Sequence, residues 1–430
     1  MSAEFTAPPA PMPGVGHLAA WLRRDAAHRV TVLHDPAVSG QPILAAVLAQ
    51  IEAAGKRQKA LSLSGPGSRD SILALAEGLD EEELIVGVGG GSVLDQAKLA
   101  VLFRSSPEAL ARVSAPQRSG MVALPPHMGA SVRVIAVPTT LGTGSELSTV
   151  ACVAHAGGKR LVTGPCLRPV AAILDPEATR TLPPRLVSEG VLEALFRTVS
   201  PYVGDLTVRP GPDALTEDLA ARLVRAGDRI SRMRADGLPI DPSTRIRVAE
   251  LSGQSQAGPT NLGRDPYSVK GWLLGNELSS ELGLSKMHSI AAIWPALWRR
   301  IADGDSRLGD ARRLDRIWGY MRGQAPRLPS DPVRGIAELV DSWRVDRRIN
   351  ATPAQVDATV TRVMRAWGAG LPMLGGLYTH EVRELLTEAV SDEKSPPGRP
   401  VPPHDFRFPG PEPGEAVGKT TDHPRETRTP

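Results

Sequence analysis

"GVGGGSVLDQAK", residues 87–98, decides how the chain is read. The apolar run "ELIVGV" leads into three glycines and Ser92, and the residues that follow have helical character and carry Asp95 and Lys98. A strand that ends in Gly-Gly-Gly-Ser and turns straight into a helix presents backbone N–H groups to an anion, at the positive end of the helix dipole. Ser92 is expected to cap that helix. Asp95 and Lys98 fall one turn apart on one face, where their plain reading is a solvated pair.

Outward from this turn, strand-like and helix-like stretches alternate. "RVTVLHD" (29–35) precedes helical "QPILAAVLAQIEAAG" (41–55), and "KALSLSG" precedes "SRDSILALAEGL". "VRVIAVPTT" (132–140) is a further strand. This order predicts a parallel sheet with helices on both faces, and ligands in such sheets bind beyond the carboxyl ends of the strands. "PTTLGTGSELS" (138–148) starts at such an end and gathers Thr139, Thr140, Thr143 and Ser145 around two glycines, a composition suited to a ribose and a pyrophosphate. From about Leu182 the spacing of apolar residues becomes helical throughout. The expected organisation is an α/β domain over 1–182, an all-helical domain over 183–396 and a disordered Pro-rich tail over 397–430, which has too few apolar residues to build a core.

The size of the chain, 430 residues, allows two domains. Its formal net charge is +3 and its arginines are scattered, which argues against a nucleic-acid surface. Two cysteines, Cys152 and Cys166, make neither a disulfide framework nor a zinc cluster and suit a reducing compartment. The N-terminal stretch lacks the pattern of a signal peptide, and no apolar run reaches membrane-spanning length. A cytoplasmic protein without a membrane partner is expected.

"GGGSVLDQAK", "PTTLGTGSE" and "ILDPEATRTLPPRL", in that order, resemble the iron-containing (group III) alcohol dehydrogenase family, related to dehydroquinate synthase, from about residue 28 to residue 300. The resemblance implies a dehydroquinate synthase-like fold with the active site between an NAD-binding α/β domain and a helical domain. Gly89, Gly90, Gly91 and Ser92 would hold the NAD pyrophosphate, and Asp95 and Lys98 would support that site. Thr139, Thr140, Thr143 and Ser145 would line the ribose and nicotinamide side. Asp35, at the end of the first strand, matches an acid near the adenosine ribose and would favour NAD over NADP; an Asx turn before Pro36 explains it equally well.

The chain departs from the family at the metal. The family holds a divalent ion with an Asp and a His on one helix and two further histidines. Here Glu193 matches the acid and Arg197 stands where a histidine belongs, while in the later stretch "GNELSSELGLSKMHSIAAIWP" Asn276 and Ser280 occupy the two earlier histidine positions. Only His288 remains, so no metal ligands are assigned. His288 is expected as a general acid/base, with Arg197 and Asn276 beside it in the catalytic site. Arg197 and Arg264 are candidates for a substrate carboxylate. His34, His127 and His155 are given no role.

The leading functional reading is an NAD-dependent dehydrogenase of a secondary alcohol. The chain is similar overall to a subgroup found with daptide-type ribosomal peptide maturation, which implies oxidation of a C-terminal threonine hydroxyl followed by decarboxylation. A small-molecule or peptide substrate, a partner biosynthetic enzyme and a homo-oligomer are expected. Two alternatives stay open: a synthase-type lyase on a sugar phosphate, and a non-catalytic nucleotide-binding subunit of a biosynthetic complex.

Overall fold

Six parallel strands form the sheet that the alternating pattern predicts. The computed structural model describes residues 10–80, 82–128, 132–155 and 158–390, so the segment expected to be disordered, 397–430, lies outside the described residues. In chain order, β1 (Met12–Pro13), α1 (Leu18–Leu22), β2 (Arg29–His34), α2 (Pro42–Ala53), β3 (Arg57–Ser62), α3 (Arg69–Glu77), β4 (Leu84–Gly89), α4 (Gly91–Ser105), α5 (Pro107–Ser114), β5 (Met121–Ala123), β6 (Val134–Pro138), β7 (Val150–His155), β8 (Gly158–Thr163) and β9 (Ala171–Leu174) build the α/β half. The main sheet runs β1-β9-β6-β4-β2-β3, with β4 between β2 and β6. The remaining strands, β5-β8-β7, make a small second sheet closed by an antiparallel pair.

β4 shows why the sheet is two-faced. Leu84, Val86 and Val88 pack on one side with Ile43, Val47 and Ile51 of α2. Ile85 points to the other side, toward Ile72, Leu99 and Leu102 of α3 and α4. Gly87 shares that second side, and a Cβ on it would lie 2.9 Å from Leu94 Cδ2. The missing side chain therefore lets α4 lie directly on the strand that precedes it.

The helical half follows without a break: α6 (Pro184–Gly204), α7 (Pro210–Ala235), α8 (Pro242–Ala257), α9 (Lys270–Leu282), α10 (Lys286–Ala302), α11 (Ala311–Gln324), α12 (Pro332–Ser342), α13 (Pro353–Trp367) and α14 (Thr379–Val390). Most of these helices open with Pro in the first turn, where its missing N–H costs nothing. Their core is a run of edge-to-face aromatic contacts, Phe196 to Trp294 to Trp298 to Trp318, with centroids 4.6, 5.5 and 6.1 Å apart. Both halves fall in one compact unit, so the change in sequence texture near Leu182 marks a change of architecture within that unit.

Arg264 lies inside this helical core, away from the sheet. Its guanidinium donates to Asp213 at 2.8 Å and stacks over Tyr202, with a side chain 2% exposed. Asp213 also takes two bonds from Arg313. The expectation that Arg264 meets a substrate carboxylate is corrected: its charge is spent on a buried carboxylate of its own chain. No helix among the described residues is long and apolar enough to cross a membrane.

A candidate nucleotide and substrate cleft

Three strand ends meet at the carboxyl edge of the sheet. Asp35 N donates to Val88 O at 3.0 Å and Thr139 N to Gly89 O at 3.0 Å, so the turns after β2, β4 and β6 are tied side by side. Gly90 is the N-cap of α4 and makes no side-chain cap. Ser92 is an exposed residue of the first turn, which corrects its assignment as the cap. The backbone amides of Gly91 and Ser92 fall in the turn that a helix leaves without internal acceptors. Thr140 faces them: a Cβ on Gly90 would lie 3.0 Å from Thr140 Cγ2, and a Cβ on Gly91 3.2 Å from Thr143 Cγ2. The Thr140 hydroxyl is buried and has no hydrogen-bond partner among the described residues. Asp35 uses Oδ1 to accept from Ala37 N at 2.8 Å, the Asx cap of a short 3-10 turn.

Asp95, Lys98 and Ser145 form an internal brace. Lys98 is fully buried and donates to Ser145 O, Ser145 Oγ and Val150 O at 3.2, 2.8 and 2.7 Å. It lies 3.1 Å from Asp95 Oδ1, which accepts from Ser145 Oγ at 2.7 Å, while Asp95 Oδ2 accepts from Cys152 N at 3.0 Å. The plain reading of a solvated pair fails, because the side chains point inward. Ser145, expected along the ribose, spends its hydroxyl on this brace and so holds the 138–148 loop in place from within.

The loop is held from the helical side as well. Gly142, at φ +96°, meets Gly190 of α6 so closely that a Cβ on it would lie 2.4 Å from Gly190 Cα. Arg197 Nη1 donates to Gly142 O at 2.7 Å and to Ser255 Oγ at 3.0 Å, and Nη2 to Glu193 Oε1 at 3.0 Å. Lys286, in the first turn of α10, lies 3.7 Å from the same Glu193 oxygen. Both cations sit over the Trp272 ring, at 5.7 and 5.2 Å. Burial pushes Arg197 down, against Glu193 and Glu146. Burial also opposes the charge on Lys286, but Glu193, Cys152 and Asp95 outweigh it and hold the ammonium above its usual value. Glu146, a buried residue of this loop, is pushed up to about 6 by desolvation.

The histidine expected in the catalytic site is turned away. His288 Nε2 bonds Arg348 O at 2.7 Å, with Asp346 at 3.8 Å. The Asn276 backbone carbonyl accepts from the Ser279 and Ser280 hydroxyls at 3.0 and 2.7 Å, and among the described residues its side-chain amide makes no hydrogen bond to Glu193 or Arg197. Positions 286 and 288 lie about 200° apart around a helix, so presenting Lys286 to Glu193 sends His288 elsewhere. Sequence reasoning missed Lys286, Trp272 and Glu146; helical phase alone would have raised Lys286. Two cations against one carboxylate do not fit the divalent metal that the resemblance implies. No group of three His, Cys, Asp or Glu suited to a metal occurs among the described residues.

The profile of the family described as iron-containing alcohol dehydrogenase matches residues 14–176. The NADPH-dependent aldehyde reductase YqhD of Escherichia coli is 29% identical over 241 residues, 56% of this chain and 59% of that protein. Phosphonoacetaldehyde reductase of Streptomyces viridochromogenes is 33% identical over 203 residues, 45% of this chain and 49% of that one. The chain thus spans about half the length of these relatives. In fold it is similar to NADH-dependent butanol dehydrogenase A of Thermotoga maritima, with a TM-score of 0.72 and 17% identity over 90% of this chain and 98% of that one. It is likewise similar to the crystal structure of E. coli YqhD, with a TM-score of 0.73, 19% identity, and 90% and 98% of the two chains covered. The family match thus covers the α/β half, residues 14–176, and the likeness in fold extends over both halves.

Proposed function

We propose that the chain interconverts an alcohol and its carbonyl compound with a nicotinamide dinucleotide bound across the 89–92 turn. The observation that carries this reading is the cradle itself. The first-turn amides of α4 face Thr140, whose buried hydroxyl has no partner among the described residues. A diphosphate supplies the missing acceptors, and Gly90 and Gly91 let it approach the backbone. When bound, the dinucleotide takes up or releases the hydride. Asp35 keeps Oδ2 for a ribose hydroxyl while Oδ1 caps its own turn, which favours NAD over NADP; the E. coli relative is named for NADPH.

The finer reading is a secondary alcohol that bears a carboxylate, such as the C-terminal threonine of a ribosomal peptide, whose β-keto acid product loses CO2. The cation-rich cleft suits it, as does the name of the phosphonoacetaldehyde reductase relative, which implies an anionic substrate. In this reading Arg197 is a positioning residue, because its donors already tie the 138–148 loop to α6. The poor fit to a metal also suits the alternative subunit that binds nucleotide without performing chemistry. Titration of the full chain with NADH and NADPH, followed by turnover with an aldehyde panel, separates these readings. Failure to bind either dinucleotide overturns both, whereas binding without turnover favours the non-catalytic subunit.

A further inference from the structure

We infer that Lys286 is the proton donor to the carbonyl oxygen of the substrate, beside the carboxylate where the resemblance implies a metal ion. The ammonium is held where α6, α9 and α10 meet. Its nitrogen lies 3.7 Å from Glu193 Oε1 on α6 and 5.2 Å over the Trp272 ring on α9. The same Glu193 oxygen accepts from Arg197, which reaches on to Gly142 O. That carbonyl belongs to the loop whose Thr143 stands against Gly91 of the glycine turn. A chain of direct contacts therefore joins Lys286 to the cradle for the dinucleotide. Lys286 makes no hydrogen bond among the described residues, its only ion pair among them is with Glu193, and its side chain remains 32% exposed. Its N–H groups are thus unspent and open to a ligand. Trp272 supports the charge through the face of its ring. Edge-to-face contact with Phe196, at 5.2 Å between centroids, seats that ring on the helical core.

The neighbouring groups have spent what this step needs. Lys98 is fully buried and has three acceptors, and Arg197 gives its donors to Gly142, Ser255 and Glu193. A guanidinium also keeps its protons. Asp95 accepts from Ser145 and the Cys152 amide, and His288 is bonded to Arg348 O. Lys286 combines a transferable proton with an open side, and an ammonium beside a carboxylate carries that proton at neutral pH. It also stands in the first turn of α10, where the helix dipole favours negative charge developing on an oxygen. In the step, the carbonyl carbon accepts a hydride from the reduced dinucleotide while its oxygen takes a proton from Lys286 Nζ. An N–H bond breaks and an O–H bond forms; the carbonyl is reduced and the dinucleotide oxidised. The free amine then recovers a proton from water on its exposed side. The inference rests on reading the cleft as that of an oxidoreductase.

The test uses the full-length protein with NADH, or NADPH where that binds more tightly, and a panel of butanal, 2-butanone, benzaldehyde and 4-oxobutanoate. Lys286→Met should lower kcat by about a hundred-fold or more, with dinucleotide affinity and melting temperature unchanged. A second readout needs no turnover. Butyramide, an unreactive carbonyl compound, should bind the dinucleotide complex of the wild type. It should bind Lys286→Met at least about ten-fold more weakly, since methionine has no N–H to offer its oxygen. Lys286→Arg separates donation from proton transfer. It keeps a charged donor, so butyramide affinity should stay within about three-fold of wild type. Its guanidinium does not release a proton, so turnover should fall as in Lys286→Met. Undiminished turnover in either variant, no butyramide binding to the wild type, or equal butyramide affinity in Lys286→Met overturns the proposal and leaves the oxidoreductase standing. A wild type that binds no dinucleotide, or reduces no member of the panel, overturns the oxidoreductase reading and the proposal with it.

Discussion

Replacing Lys98 with Met tests whether the glycine turn and the 138–148 loop form one unit. The substitution keeps the length of the side chain and removes a fully buried ammonium with three hydrogen-bond acceptors and a carboxylate at 3.1 Å. Breaking a buried ion pair by removing one partner costs about 3–5 kcal/mol, because the other charge is left behind. Asp95 softens the loss, since it keeps the Ser145 hydroxyl and the Cys152 amide. Ser145 O and Val150 O lose a charged donor, each at about 1–3 kcal/mol if nothing replaces it. A net destabilisation of about 3–5 kcal/mol follows. NADH affinity should fall as well, because the loop that carries Thr140 loses its inner anchor.

The assay is urea unfolding followed by circular dichroism, with the midpoint compared at unchanged m value. The stronger form is a double-mutant cycle. Asp95→Asn in the Lys98→Met background removes the stranded charge, so the double variant should be more stable than the two single losses predict, by about 0.5–3 kcal/mol. A Lys98→Met loss under about 1 kcal/mol, or strict additivity in the cycle, refutes the brace.

Gly90→Val places a branched side chain where Cβ already lies 3.0 Å from Thr140, so NADH affinity should drop at least about ten-fold while the melting temperature holds; wild-type affinity in calorimetry overturns the cradle. Asp35→Ala should raise NADPH affinity relative to NADH and cost about 1 kcal/mol through the lost cap on Ala37 N; an unchanged ratio removes Asp35 from cofactor choice. Glu146 is held protonated up to about 6, above the 4.5 of the unfolded chain, so the folded state binds the extra proton. Stability should therefore fall by ~2 kcal/mol as pH rises from below 4.5 through 6, and Glu146→Gln should flatten that slope; a slope unchanged in the variant rejects this assignment. Wild-type protein should carry no tightly held Fe or Zn, and NADH binding should survive chelation; one metal per chain by mass spectrometry overturns the reading of the Glu193 cluster.

The sheet and the glycine turn were legible because they are written in consecutive residues. An apolar run, three glycines and a helical pattern specify backbone geometry locally, and backbone amides do the binding. Asp95 and Lys98 were legible as supports, yet their burial was not. The residue that buries Lys98 is Ser145, which lies 47 positions away, and no periodicity connects the two. The charged cluster was the least legible part, since α4, β7, α6, α9 and α10 each contribute one or two side chains to it. Matching His288 to a family ligand drew attention to the wrong face of α10. Arg264 looked like a free cation in the sequence because its partner, Asp213, is 51 residues distant.

The loss of metal ligands and the arrival of Arg197 and Lys286 are two sides of one change in charge. By the resemblance, a divalent ion beside a single acidic ligand leaves a local charge of one positive unit. Here Glu193 lies between Arg197 at 3.0 Å and Lys286 at 3.7 Å, again one carboxylate with two positive charges. The electrostatic field over the cleft is thereby kept in sign, while the means of acting on a ligand changes. A metal ion offers an empty orbital to a lone pair; an ammonium offers N–H donors, and they suit oxygen that already carries charge. Arg197 cannot act this way without releasing Gly142 and loosening the loop over the turn. Lys286 can, because no described group accepts its protons and Trp272 supports its charge without competing for them. Substitution of Lys286 should therefore alter the discrimination between anionic and neutral ligands, whereas substitution of Arg197 should alter the fit of the dinucleotide.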